Sequence, residues 1–157
     1  MTRIAAVLHN IRSAHNVGSL FRTADGAGAK LVVLVGYTPR PIDTFGRAQK
    51  EIAKTALGAE AVLPWKYYKT LAAAARGLRK EGWRIVGVEQ DAKAIRVQTM
   101  VPLKQDTAFV FGNEVQGLSP GAKKLCDALV EIPMHGTKES LNVSVAAGIV
   151  LFAAAGE

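Results

Sequence analysis

The sequence predicts an α/β domain with a mainly parallel sheet and helices on both faces. Three observations predict it: short continuous apolar runs, amphipathic stretches between them, and a last segment that is apolar nearly all round. Runs without polar alternation are the mark of strands buried on both faces. They fall at Ile4–Leu8, Leu31–Val35, Ala61–Leu63, Arg84–Val88, Ala108–Phe111 and Ala128–Ile132. Alternation of such runs with helical patterns implies a single α/β unit, and 157 residues is the size of one ordinary domain. A hydrophobic share of 49% is enough to build its core without staples.

The first run leads into a helix over His15–Asp25, where Val17, Leu20, Phe21 and Ala24 share one stripe. Gly26 and Gly28 stop it. After Leu31–Val35 the alternation breaks. Tyr37–Gly58 opens on the turn-rich Thr38-Pro39-Arg40-Pro41-Ile42-Asp43 and then carries Arg47, Lys50 and Lys54 in a weakly helical run. A mobile excursion beside a site and a solvated loop and helix fit it equally. The next helix, over Lys69–Glu81, turns Leu71, Ala75 and Leu78 inward and leaves Arg76, Arg79 and Lys80 elsewhere. The last helix, Leu141–Ala154, requires burial on several sides, by the sheet and by a partner. Val145, Ile149 and Phe152 form one stripe on it.

The formal net charge is +7. Such a surplus points to a polyanionic partner, nucleic acid ahead of membrane, or to a solubilising surface. The longest apolar stretch, Val143–Ala155, falls short of the ~20 residues of a membrane helix. The opening Met1–Ser13 turns polar too soon for a secretory signal. The single cysteine, Cys126, excludes an intramolecular disulfide framework, so a reduced, cytoplasmic setting is expected. His9, His15 and His135 lack metal-like spacing, and no metal is expected. HExxH, GxSxG and CxxC are absent. Cys126, Trp65 and Trp83 read as packing residues.

Three segments carry chemistry. In Asn16-Val17-Gly18-Ser19-Leu20-Phe21-Arg22, Asn16 stands where a helix N-cap would. Gly18 suggests a close backbone or ligand approach, and Arg22 lies off the apolar stripe. In Phe109–Ser119 a buried strand ends in a loop bounded by Gly112 and Gly117. Ligands of open α/β sheets bind outside such strand ends, although a tight strand-to-helix turn accounts for the glycines too. The loop is neither a phosphate loop nor a GxGxxG turn. In Ile132–Ser144 a strand runs through Pro133 and a polar loop into the last helix. Ser140 can cap that helix. Asn142 then falls in its first turn, an odd place for a structural asparagine.

Together these segments resemble motifs 1, 2 and 3 of the SpoU branch of the SPOUT methyltransferases. The matching residues are Asn16, Gly18 and Arg22; Gly112, Glu114, Gly117 and Leu118; and Ile132-Pro133-Met134, Gly136 and Ser140-Leu141-Asn142. The first motif's surroundings are similar to those of guanosine-2′-O methyltransferases acting on tRNA and 23S rRNA. The resemblance implies a C-terminal deep trefoil knot and S-adenosyl-L-methionine (AdoMet) held largely by backbone groups around Glu89, Gly112, Ile132, Ser140 and Leu141. It implies methyl transfer to a ribose 2′-hydroxyl of tRNA or rRNA in a homodimer, with Arg22 of one subunit facing the AdoMet of the other. Asn16, Glu114, Ser140 and Asn142 would orient the ribose and cofactor. Many relatives add an RNA-binding domain. Here residues 1–157 read as the catalytic domain alone, so Arg3, Arg12, Arg40, Arg47, Lys50 and Lys54 are the expected phosphate contacts. A non-catalytic RNA-binding protein on the same knotted fold is the alternative. A Rossmann-type oxidoreductase is disfavoured by the missing dinucleotide fingerprint.

Overall fold

A computed structural model of the chain describes residues 1–156; Glu157, the last residue of the expected domain, lies outside them. The apolar runs form strands β1 (Ile4–His9), β2 (Leu31–Val35), β4 (Arg84–Val88), β6 (Thr107–Phe111) and β7 (Ala128–Glu131). Two short strands, β3 (Trp65–Tyr68) and β5 (Ile95–Arg96), occupy the edges. All seven are parallel, in the order β3-β2-β1-β6-β4-β7-β5. Every residue of β2 and β6 is buried, as continuous apolar runs require.

Alternate side chains divide the core into two layers. Ala6, Leu8, Val32, Leu34, Phe109 and Phe111 pack with helices α1 (Ala14–Gly26), α2 (Lys50–Ala56), α3 (Ala59–Val62) and α7 (Val143–Ala154). Ala5, Val7, Val33, Ile85 and Val110 pack with α4 (Leu71–Lys80) and α6 (Pro120–Lys124). A single turn, α5 (Val97–Met100), follows β5. No helix among the described residues is long and apolar enough to cross a membrane.

Several expectations change. Ala61–Leu63 is not a strand: Ala61 and Val62 lie in α3, and the edge strand is the aromatic Trp65–Tyr68. A short apolar run suits a buried helical turn as well as a strand, while aromatic residues favour the pleated edge. The N-cap of α1 is Ser13, whose hydroxyl accepts the Asn16 N–H at 3.1 Å; Asn16 sits inside the first turn. The last helix starts two residues later than expected, and Asn142 rather than Ser140 is its N-cap, accepting the Ser144 N–H at 2.9 Å. Gly18 answers to a close backbone approach: a Cβ there would lie 2.4 Å from the Ile52 carbonyl oxygen of α2. Cys126 is half-buried, and desolvation pushes its thiol up to about 11.

α7 is two-faced in a way its composition hides. Val143, Ala147, Val150, Leu151 and Ala154 are buried. Val145, Ile149 and Phe152 remain 49%, 39% and 53% exposed.

Candidate active site

In a parallel sheet all carboxyl ends lie on one edge, and β4, β6 and β7 bring three loops together there. The loops and the start of α7 enclose a cleft of about 190 Å³. Glu89, Gly112, Ile132, Ser140 and Leu141 all line it, as does Glu114. Sequence reasoning passed over Val88, Gln90, Asn113 and Glu131, which line it too. Only their position at or within two residues of the carboxyl ends of β4, β6 and β7 could have found them.

The loop after β6 is a tight turn with little freedom. Asn113 Oδ1 accepts the Val115 and Gln116 N–H groups at 2.9 Å each, and the Gly117 N–H returns to the Asn113 carbonyl at 2.9 Å. Asn113 Nδ2 donates to the Asn10 carbonyl at 3.0 Å and to the Tyr37 hydroxyl at 2.8 Å. Both glycines are required. A Cβ at Gly112 would lie 2.6 Å from the Gly117 carbonyl carbon. Gly117 has φ +66°, and a Cβ there would lie 2.0 Å from Glu89 Oε2. That carboxylate instead accepts the Leu118 N–H at 2.8 Å, tying the β4 loop to the β6 loop.

Glu114 joins the second segment to the first. Its carboxylate accepts the Arg12 N–H at 2.8 Å, the Ser13 N–H at 2.9 Å and the Asn16 side-chain amide at 3.2 Å. The Ser13 N–H is one of the orphan donors of the α1 N-terminus, and the Arg12 N–H comes just before it. Burial raises the Glu114 pKa, but the bonds from Arg12, Ser13, its own amide and Asn16 outweigh it and hold the carboxyl below its ordinary range. Glu114 thus clamps the cleft loop to α1, and the bonds it accepts favour its ionised form.

Arg22 lies on the exposed side of α1 and enters none of the ion pairs among the described residues. It does not line the cleft within one chain. Asn142 lies between the lining residues Leu141 and Val143, but its Oδ1 caps α7 by accepting the Ser144 N–H. The basic candidates divide. Arg12, Arg40 and Arg47 lie in the segments after β1 and β2, and Lys50 and Lys54 on α2, which packs on α1. Arg47 pairs with Asp43 at 3.0 Å. Arg3 is at the other end of the sheet, bound to Asp106 at 2.8 Å and stacked on Trp83. It is remote from the cleft because β1 begins there.

This chain matches the model of the SpoU rRNA methylase family over residues 3–152. It is 35% identical over 145 residues to a Neisseria meningitidis protein named 23S rRNA (guanosine-2′-O-)-methyltransferase RlmB, covering 92% of this chain and 55% of that one. A Ralstonia nicotianae protein of the same name is 36% identical over 148 residues, covering 94% and 56%. The chain therefore spans just over half the length of these curated relatives. Among solved structures, an AdoMet-bound rRNA methyltransferase from Sinorhizobium meliloti superposes with a TM-score of 0.86 at 28% identity, covering 96% of this chain and 55% of that one. The SpoU methyltransferase AviRb from Streptomyces viridochromogenes, in complex with AdoMet, gives 0.85 at 25% identity, covering 98% and 59%. The cleft at the ends of β4, β6 and β7, the order of the three segments and these matches agree, and the chain belongs to the SpoU rRNA methylase family.

Proposed function

We propose that residues 1–157 form the catalytic domain of an AdoMet-dependent RNA methyltransferase that modifies a ribose 2′-hydroxyl, with a guanosine of rRNA favoured over tRNA. The observation that carries this reading is the strand-end cleft, tied through Glu114 to the helix that bears Arg22. The names of the relatives support the guanosine ribose, and the AdoMet of the Sinorhizobium and Streptomyces neighbours supports the cofactor.

The residues present fit AdoMet. Val88, Phe111, Ile132, Leu141 and Val143 offer apolar surface of the kind an adenine ring takes, and Glu89, Glu114 and Glu131 border the cleft with carboxylates suited to a cationic ligand. The bare backbone at Gly112 admits a close approach. When bound, AdoMet supplies an electrophilic methyl group on sulfur.

The chain's own residues act on the ribose. A guanidinium has a pKa above ~12 and is a poor base, so Arg22 fixes the ribose and stabilises the developing alkoxide. The proton passes to an RNA phosphate or to water. Glu114 and Asn16 position the first turn of that helix, while Ser140 and Asn142 orient ribose and cofactor at the start of α7. Arg12, Arg40, Arg47, Lys50 and Lys54 contact RNA phosphates.

The exposed Val145, Ile149 and Phe152 support a homodimer packed through α7, with Arg22 of one subunit serving the cleft of the other. The insertion of β6 and β7 on either side of β4 supports a C-terminal trefoil knot. RNA as the substrate supports a cytoplasmic setting.

Methyl transfer from labelled AdoMet to rRNA and tRNA, with ribose-methylation mapping, tests this. Arg22→Ala should lower transfer at least ~100-fold while shifting stability by under ~0.5 kcal/mol. Arg22→Lys should recover little, because an ammonium lacks the planar fork. Arg22→Ala mixed with a cofactor-loop variant should regain part of the activity, since one site of the mixed dimer is then intact. RNA binding without transfer by the wild type would favour the non-catalytic alternative.

A further inference from the structure

Beside the cleft lies a second hollow, formed by the segment that breaks the strand–helix alternation. It encloses about 220 Å³ and is lined by Tyr37, Arg40, Asp43, Thr44, Gln49 and Tyr67, among others. Three features set it apart from an ordinary loop surface.

The first is an aromatic ring held in place yet uncovered. Tyr37 is 58% exposed, but its hydroxyl accepts the Asn113 side-chain amide at 2.8 Å, and its N–H donates to Asn10 Oδ1 at 3.2 Å. The side chain is anchored at its tip and its root, so the ring has lost its freedom without gaining cover. The second is a cation without an acid. The Arg40 guanidinium lies 4.2 Å from the centroid of the Tyr67 ring and enters none of the ion pairs among the described residues. Tyr67 is fixed in turn by its hydroxyl, which donates to the Gly36 carbonyl at 2.9 Å. The third is the state of Asp43, the one acid among the lining residues. Both of its oxygens are taken: Oδ1 by the Phe45 and Arg47 N–H groups, Oδ2 by the Arg47 guanidinium at 3.0 Å. Its charge is met within the loop and does not oppose an anion at Arg40.

A fixed, exposed ring beside a stacked, unpaired guanidinium is the chemistry that holds an unpaired nucleotide, with the base on the ring and the phosphate on the cation. Its position fits the same occupant. Asn113 lines the cleft and also bonds Tyr37, so hollow and cleft are one side chain apart. Resting on the function proposed above, we infer that Tyr37 and Arg40 form a subsite for an unpaired RNA base flanking the methylated nucleotide. Tyr37 stacks the base and Arg40 holds its phosphate. Because a base–aromatic stack is tolerant of sequence, the subsite selects single-stranded context rather than a particular neighbour.

The test uses the full chain and a short single-stranded oligoribonucleotide carrying one 2-aminopurine, whose fluorescence is quenched on stacking. Anisotropy gives the affinity, and calorimetry with the demethylated cofactor is run on every variant. Tyr37→Ala should weaken RNA binding about tenfold, the scale of one lost stack, and abolish the quenching. Tyr37→Phe should restore the quenching and most of the affinity, short of what the anchored hydroxyl adds, a rescue that a purely structural role of the hydroxyl would not allow. Arg40→Ala should weaken binding and flatten its salt dependence. Cofactor affinity should stay within about twofold in all three. RNA affinity and quenching unchanged in Tyr37→Ala, with the wild type binding both RNA and cofactor, would overturn the subsite alone. Loss in Arg40→Ala only, without quenching in the wild type, would make the hollow a phosphate contact and overturn the stacking. A wild type that binds neither cofactor nor RNA would overturn the underlying function as well.

Discussion

The loops after β6 and β7 line the same cleft but are held in opposite ways. From Gly112 to Leu118 the turns are pinned by side chains: Asn113 caps its own loop, Glu89 takes the Leu118 N–H, and Glu114 reaches across to Arg12 and Ser13. From His135 to Ser140 every residue is exposed, and the side-chain bonds begin again only at the Asn142 cap. Polar satisfaction accounts for the difference. A loop whose donors are paired within the fold is preorganised without a ligand, whereas one with few contacts opens at low cost. In the proposed enzyme the β6 loop is the fixed wall of the cofactor site, and the β7 loop is the wall that adjusts.

Glycine substitution separates the two loops by the largest margin. Gly117→Ala forces a side chain into φ +66° and against Glu89. The backbone strain costs about 1–3 kcal/mol, and loosening Glu89 from Leu118 adds about as much. A melting temperature lower by roughly 5–20 °C is expected for a chain of this length. Gly136→Ala, in the β7 loop, meets nothing within 4 Å and should shift it by under about 2 °C. Equal shifts in the two variants would remove the distinction between the loops.

Glu114 gives the next largest effect. Removing it in Glu114→Ala leaves the Arg12 and Ser13 amides without their acceptor, at a cost of about 2 kcal/mol. The sign with pH follows from the lowered carboxyl pKa. The clamp is fully present above the ordinary glutamate value of ~4.3 and is lost as pH falls through the depressed folded value. The stability gap between wild type and Glu114→Gln should therefore be widest near neutrality and close in acid, as denaturant titrations at several pH values would reveal. A gap that widens in acid would contradict an ionised clamp.

Asn142, where the open loop meets α7, gives the smallest effect. Asn142→Ala should cost about 1 kcal/mol, the worth of an N-cap, and Asn142→Asp should keep that stability. Methylation lost in Asn142→Asp with melting temperature retained would separate an action on the ribose from the cap. Methylation that simply follows stability through both variants would reduce Asn142 to its cap.

Sequence periodicity exposes the central sheet because its strands are buried on both faces; Leu31–Val35 coincides with β2 to the residue. It fails at the edges, where burial is partial. Trp65–Tyr68 is half-covered and interrupted by Lys66, and Ile95–Arg96 is exposed and only two residues long. Capping is misread where a tertiary contact is involved. The sequence points to Asn16 as the cap of α1, but Ser13 caps it, and the Asn16 side chain instead meets Glu114, about a hundred residues away. The cleft was partly legible through the strand-end rule, which points to Gly112 and Ile132. Glu89 came from family resemblance. Asn113 makes local bonds to Val115 and Gln116, but its tie to Asn10 and Tyr37 is encoded by no local pattern.

In the proposed enzyme the cleft between the pinned and the open loop is an AdoMet site. Isothermal calorimetry on the full chain with AdoMet, its demethylated product and NAD tests it most directly. Saturable heat at one site per chain with AdoMet or its product, and none with NAD, is the predicted result. No heat with AdoMet or its product, at concentrations well above micromolar, would contradict it.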